Sequence, residues 1–206
     1  MNRSILFATT NRGKQTEALE VANRYRAVLM TVDQFIEQRS QGAGDLVVPE
    51  VFESAPDYAG NARLKAEAFS IWSGLPALAD DTGLEVAVLD GRPGVYSARY
   101  AGSQGDAAAN IKKLLEVLRK EDRRQACFRC VLCLAAPGSK PWLVTGVLEG
   151  EIARERRGAG GFGYDSIFIV SGIGKTLAEL KEGQLSIKTH RILALEKFFT
   201  IWRGTA

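Results

Sequence analysis

The sequence is short of histidine, cysteine and proline, with one, three and six of them in 206 residues, and its 27 basic and 24 acidic side chains leave a charge of only +3. The near balance of charge argues against a protein that coats nucleic acid. No stretch approaches the roughly eighteen apolar residues of a membrane span, and the first residues enter a short apolar run without a signal-peptide core. No membrane partner and a cytoplasmic protein are therefore expected. Cys127, Cys130 and Cys133 lie on a stretch that reads as a strand, which puts Cys127 and Cys133 on one side and Cys130 on the other. That geometry works against convergence on one metal ion. His190 stands alone, and a lone histidine is more often structural than catalytic.

With 46% hydrophobic and 25% charged residues, the chain has the composition of an ordinary globular protein. Its length suits a single domain, residues 1–206, or two closely packed lobes. A buried strand at 5–8, a polar turn, a helix at 14–25 and a strand at 27–32 open an α/β fold. An irregular segment over 41–56, holding Gly42 and Gly44, precedes a helix with Ala62, Ala66, Phe69 and Trp72 or Ser73 on one face, ended by Gly74 and Pro76. A strand at 77–80 is expected to run into a turn at Asp80-Asp81-Thr82-Gly83, with 84–89 extended beyond it. Asp106 caps a further helix. Strands at 126–135 and 142–153 form a hairpin, a glycine-dense loop leads to a strand at 166–170, and a last helix covers 186–202.

Four segments are hard to explain as scaffold, and all fall where α/β proteins place ligands. Thr9-Thr10-Asn11-Arg12-Gly13-Lys14 leads into a helix, offering backbone N–H groups and a lysine to phosphate, although many such turns are only caps. Asp80 and Asp81 repel each other unless a divalent cation or water reaches both; an exposed turn is the competing reading. In Gly160-Gly161-Phe162-Gly163-Tyr164-Asp165 the flanking glycines leave the Phe162 ring open to stack on a base, and Asp165 could accept from a base edge. Ser186-Ile187-Lys188-Thr189-His190-Arg191 opens the last helix, where Arg191 favours a polar ligand.

Together these segments resemble the inosine triphosphate pyrophosphatase family nearly end to end, most specifically through Ala79-Asp80-Asp81-Thr82-Gly83-Leu84, Pro93-Gly94-Val95-Tyr96-Ser97-Ala98-Arg99-Tyr100 and Gly161-Phe162-Gly163-Tyr164-Asp165. The resemblance implies an α/β homodimer, each subunit two-lobed around a long mixed sheet with flanking helices. It also implies hydrolysis of non-standard purine nucleoside triphosphates (ITP, XTP, dITP) to monophosphate and pyrophosphate with Mg2+. Thr9, Asn11 and Lys14 match the phosphate-binding turn. Asp81 matches the acid that activates water and holds magnesium, Asp80 supports the metal, and Thr82 contacts substrate. Phe162, Gly163, Tyr164 and Asp165, with His190 and Arg191, match the base pocket, where Arg191 can donate to a 6-oxo group that adenine lacks.

Two positions depart from the family pattern. Gly60 stands where a metal-binding glutamate is usual, and Leu185 where a lysine is usual. Asp57 lies three residues before Gly60 and Lys188 three after Leu185, so each is a candidate replacement; Glu53 is another for the metal. These departures keep open an alternative, a nucleotide-binding protein of the same fold with little hydrolysis.

Overall fold

The computed structural model describes residues 4–40, 46–102, 105–184 and 187–204. Gly42, Gly44, Leu185 and Ser186 lie outside the described residues. Seven strands form one sheet in the order β2-β1-β3-β5-β6-β7, with β4 on β3: β1 Ile5–Phe7, β2 Leu29–Thr31, β3 Ala77–Val86, β4 Pro93–Gly94, β5 Gln125–Ala135, β6 Trp142–Ile152 and β7 Phe168–Val170. Parallel pairing of β1 with β2 and β3 and antiparallel pairing of β3 with β4 and of β6 with β7 make the sheet mixed. The helices are α1 Arg12–Arg24, α2 Val32–Ser40, α3 Tyr58–Ser73, α4 Ala107–Val117, α5 Leu177–Glu182 and α6 His190–Gly204. Among the described residues no helix is long and apolar enough to cross a membrane.

The chain divides into two compact units, Met1–Asp81 with Cys130–Gly146 and Arg191–Ala206, and Thr82–Arg129 with Val147–His190. In the first, β1 is wholly buried and packs with Ala18, Val21 and Ala22 of α1, Leu78 of β3, Cys130 and Leu132 of β5, and Leu195, Phe198 and Phe199 of α6. Each helix offers residues three or four apart, one stripe of its surface. Asp57 caps α3 by accepting from Gly60 N, and Gly74 ends it at φ 71°, a left-handed conformation that suits glycine.

The second unit has its own core, with Leu84 and Val86 of β3, Ile111 and Leu114 of α4, Phe128 of β5 and Leu177 and Leu180 of α5. Asp106 caps α4 through Ala109 N, as expected. Arg124 is buried and donates to the carbonyls of Ile152 at 2.6 Å, Leu118 at 2.7 Å and Ala153 at 2.8 Å, tying the end of α4 to the end of β6.

Three expectations about local structure need correction. The turn at 80–83 is absent: β3 runs unbroken from Ala77 to Val86, and the stretch beyond it, Ala87–Leu89, is a 3-10 turn rather than extended. The ladder wins over the turn-forming Asp-Thr-Gly because Leu84 and Val86 are fully buried in the second core. Helices α2 and α5 were not expected from the sequence. The last helix begins at His190, with residues 187–189 outside it.

Candidate active site

Because side chains alternate along a strand, the continuous β3 sends Asp80 and Asp81 to opposite faces, and each meets a different set of partners within the first unit. Asp80 is 2% exposed. It lies 3.0 Å from Lys14 Nζ and 3.1 Å from Arg191 Nε. Arg191, itself 2% exposed, also donates to Glu17. Burial alone would push the Asp80 carboxyl up, but Lys14 and Arg191 overcome it and hold the group well below the ordinary carboxylate range.

Asp81 has a weaker set of partners. Asn61 Nδ2 donates to its Oδ2 at 3.2 Å, and Lys65 Nζ stands 3.6 Å from its Oδ1. The same ammonium pairs with Glu53. Burial dominates here and Glu53 adds repulsion, so the Asp81 carboxyl is raised despite the pull of Lys65. Adjacent acids have thus been driven in opposite directions by their surroundings, the usual mark of a site that assigns them different tasks.

Asn61 and Lys65 are one helical turn apart on α3, so one face of that helix carries both groups toward Asp81. Lys65 and Glu17 were missed from the sequence, although that i, i+4 spacing was available to find Lys65. Thr9, Asn11 and Lys14 come together at the start of α1: Asn11 N donates to Thr9 Oγ1 and Asn11 Oδ1 accepts from Lys14 N. Thr10, Asn11, Arg12 and Gly13 are exposed there. Thr82 is half-buried on β3.

Whether a divalent metal fits can be judged from Lys65. Its ammonium already draws two carboxylates, Glu53 and Asp81, onto one cation, and hard oxygen donors of that kind suit magnesium. Among the described residues no group of three His, Cys, Asp or Glu side chains could hold a metal alone. A magnesium ion would therefore need substrate oxygens and water as well, which is its habit. Of the two acids expected to hold a cation, Asp80 pairs with Lys14 and Arg191, and Asp81 has Asn61 and Lys65 beside it. Asp57 is occupied as the α3 cap. Gly60 has a steric reason: a Cβ there would come within 2.4 Å of the Ala55 Cβ.

In the second unit, the loop before β7 lines a pocket of about 340 Å³ with Phe162, Asp165, Arg156 and Ile111 among its walls. Phe162 is 57% exposed. Tyr164 is buried and its hydroxyl donates to Ser97 O at 2.9 Å. Ser97 in turn accepts from Leu84 N at 2.8 Å and donates to Gly94 O at 2.6 Å. The Pro93–Tyr100 motif is thus the brace that holds this loop. Asp165 Oδ2 accepts from Phe162 N and from Lys181 Nζ, and Lys181 is a third residue missed from the sequence. His190 is buried and stacks on Phe128, with centroids 4.8 Å apart. Lys188 is exposed just before α6.

The model of the Ham1 family matches residues 5–201. A dITP/XTP pyrophosphatase from Geobacter sulfurreducens is 40% identical over 204 residues, covering 97% of this chain and 98% of that protein. Among solved structures, the Ham1 protein of Staphylococcus aureus superposes with a TM-score of 0.83 at 33% identity, covering 99% of this chain and 100% of that one. A HAM1 protein from Coxiella burnetii gives 0.83 at 38% identity, covering 98% and 99%.

Proposed function

The chain belongs to the Ham1 family, and from that premise we propose that it hydrolyses ITP, XTP and dITP to the monophosphate and pyrophosphate. The observation that carries the reading is the raised, buried carboxyl of Asp81 beside Lys65. A carboxylate raised from its ordinary value is a better proton acceptor. Asp81 takes the proton of the attacking water, while Lys65 offsets negative charge gathering on the phosphate. The N–H groups at the start of α1, with Thr9, Asn11 and Lys14, hold the phosphate chain.

Magnesium is the metal we assign, on Asp81 and Glu53; when bound it supplies Lewis-acid charge at the phosphate oxygens. Asp80 fixes Lys14 and Arg191 in place. Glu53, rather than Asp57, is then the carboxylate that compensates for Gly60. Residues 1–206 act as one pyrophosphatase domain, and Phe162 and Asp165 are its base-reading side chains. We place the enzyme in the cytoplasm, with its nucleotide pool. A homodimer is its working form, consistent with Val47, Phe52 and Ile71 at 82%, 86% and 84% exposure; sedimentation at a monomer's mass would overturn this.

The test is to incubate the protein and magnesium with XTP, ITP, dITP, ATP and GTP and quantify monophosphate and pyrophosphate. Pyrophosphate from the first three is expected. Release of single phosphate would refute the reading, because it places attack at the terminal phosphorus. Binding without turnover would favour the alternative of a nucleotide-binding protein of this fold.

A further inference from the structure

Asn61 is wholly buried one turn into α3. Asparagine is a weak helix former, and an amide taken out of water costs free energy unless it is hydrogen-bonded. The residue is not needed as a cap, since Asp57 already accepts from Gly60 N. Its amide instead joins two separate pieces of chain. Oδ1 accepts from Ala55 N at 2.9 Å, and Nδ2 donates to Asp81 Oδ2 at 3.2 Å. A backbone N–H only donates and an ionised carboxylate only accepts, so these two partners leave the amide a single orientation.

Asn61 thus engages Asp81 without a charge, whereas Asp80 is held by two cations. With Oδ2 engaged, Oδ1 is the oxygen that stands 3.6 Å from Lys65 Nζ, the ammonium shared with Glu53. Ala55 lies two residues after Glu53, so the same amide also anchors the segment that carries the second acid. Gly60 completes the seat, because a Cβ there would come 2.4 Å from the Ala55 Cβ and 3.8 Å from its Cα.

We propose that Asn61 is a positioning residue, whose one amide sets Asp81 directly, and Glu53 through Ala55, at the spacing a divalent cation requires. The proposal rests on the pyrophosphatase reading above and on the placing of magnesium on these two acids. Asn61 acts through the acids alone. A lysine in its place would orient Asp81 but cancel charge that the cation needs; a neutral amide orients the carboxylate and leaves its charge in place.

The experiment measures Mn2+ binding to the nucleotide-free protein by electron paramagnetic resonance, beside kcat and KM for pyrophosphate release from ITP with magnesium. Asn61→Leu should weaken Mn2+ binding and lower kcat by about ten- to a hundredfold, the usual cost of losing a group that orients metal ligands, with KM for ITP within about threefold of the parent. Gly60→Ala should also weaken Mn2+ binding, although alanine is the better helix former, because it pushes Ala55 away. Ala55→Gly/Gly60→Ala removes the opposing Cβ and should recover most of the affinity. These two variants leave the Asn61 amide intact, so they decide the matter even where Asn61→Leu does not fold. If Asn61→Leu and Gly60→Ala lower only the melting temperature, with Mn2+ affinity and kcat as in the parent, Asn61 is a packing residue and the proposal is overturned. It is overturned as well if the double variant binds no better than Gly60→Ala, or if the unmodified protein binds no Mn2+. No pyrophosphate from ITP with the unmodified protein would refute the pyrophosphatase reading, while the Mn2+ series still decides what Asn61 does for the two acids.

Discussion

The ion cluster of the first unit and the glycine loop of the second are built by opposite means. Around β3, Asp80, Asp81, Glu17 and Glu53 are matched by Lys14, Lys65 and Arg191, and position is fixed by charge. In the loop the ion pair of Lys181 and Asp165 stands beside an exposed ring, and position is fixed by close backbone approach and by the brace from Tyr164 to Ser97. The first arrangement suits a substrate part that is highly charged and the same in every nucleotide. The second suits the part that differs between nucleotides and carries no charge.

The sharpest way to break this comparison is to neutralise one acid at a time. Asp81→Asn removes the carboxylate that we propose accepts the proton of water, and it should lower pyrophosphate release by about 10²–10⁴-fold, with the protein still folded by circular dichroism. If its activity stays within a fewfold of the parent, the chemistry does not reside on that face of β3. The next effect is on stability. Arg191→Ala takes a guanidinium away from the buried Asp80 and from Glu17, which should cost about 3–5 kcal/mol in urea unfolding. A cost below about 1 kcal/mol would mean that charge does not fix the cluster.

The loop should respond differently. Phe162→Ala removes a stacking surface but almost no core, so kcat/KM should fall by roughly five- to a hundredfold, the equivalent of about 1–3 kcal/mol, while the melting temperature stays within about 1 °C. A melting temperature lowered along with activity would make Phe162 a packing residue and blur the two regions together.

How far each region could be read from the sequence follows the same divide. The opening β1, α1 and β2, and the cap Asp106, were legible because they rest on local apolar spacing and a local hydrogen bond. The two unforeseen helices carried a local signal as well. Thr31 and Gln34 exchange backbone and side-chain hydrogen bonds at the start of α2, and Thr176 and Glu179 do so at α5. Both are the reciprocal capping pattern, S/T-x-x-E/Q. The turn wrongly expected at Asp80 had no such remedy, since Lys14 and Arg191, which neutralise that acid inside the strand, lie 66 and 111 residues from it in sequence. Phe162 was legible from its flanking glycines, whereas Lys181 was not, because its partner Asp165 lies 16 residues away in another element.

The smallest effect tests the comparison inside the acid pair itself. Asp81 is raised above its ordinary 3.8, chiefly by burial, so the folded state holds that proton more tightly than the unfolded chain. The stability this contributes is complete below about pH 4 and is lost as pH rises through the folded value. At neutral pH the ionised Asp81 is therefore a burden on the fold, and Asp81→Asn should raise the melting temperature by a few degrees, about 2–4 °C. The gain should shrink toward zero as pH approaches about 4, where the parent acid is also protonated. Asp80 has the reverse sign: its folded value is depressed, its stabilisation is present above about pH 4 and fades as pH falls, and Asp80→Asn should destabilise most at neutral pH. Melting curves of both variants between about pH 4 and pH 7.5 at fixed ionic strength decide the matter. If Asp81→Asn is less stable than the parent at neutral pH, the attraction of Lys65 outweighs burial, and neighbouring carboxylates on β3 have not been assigned opposite roles by the fold.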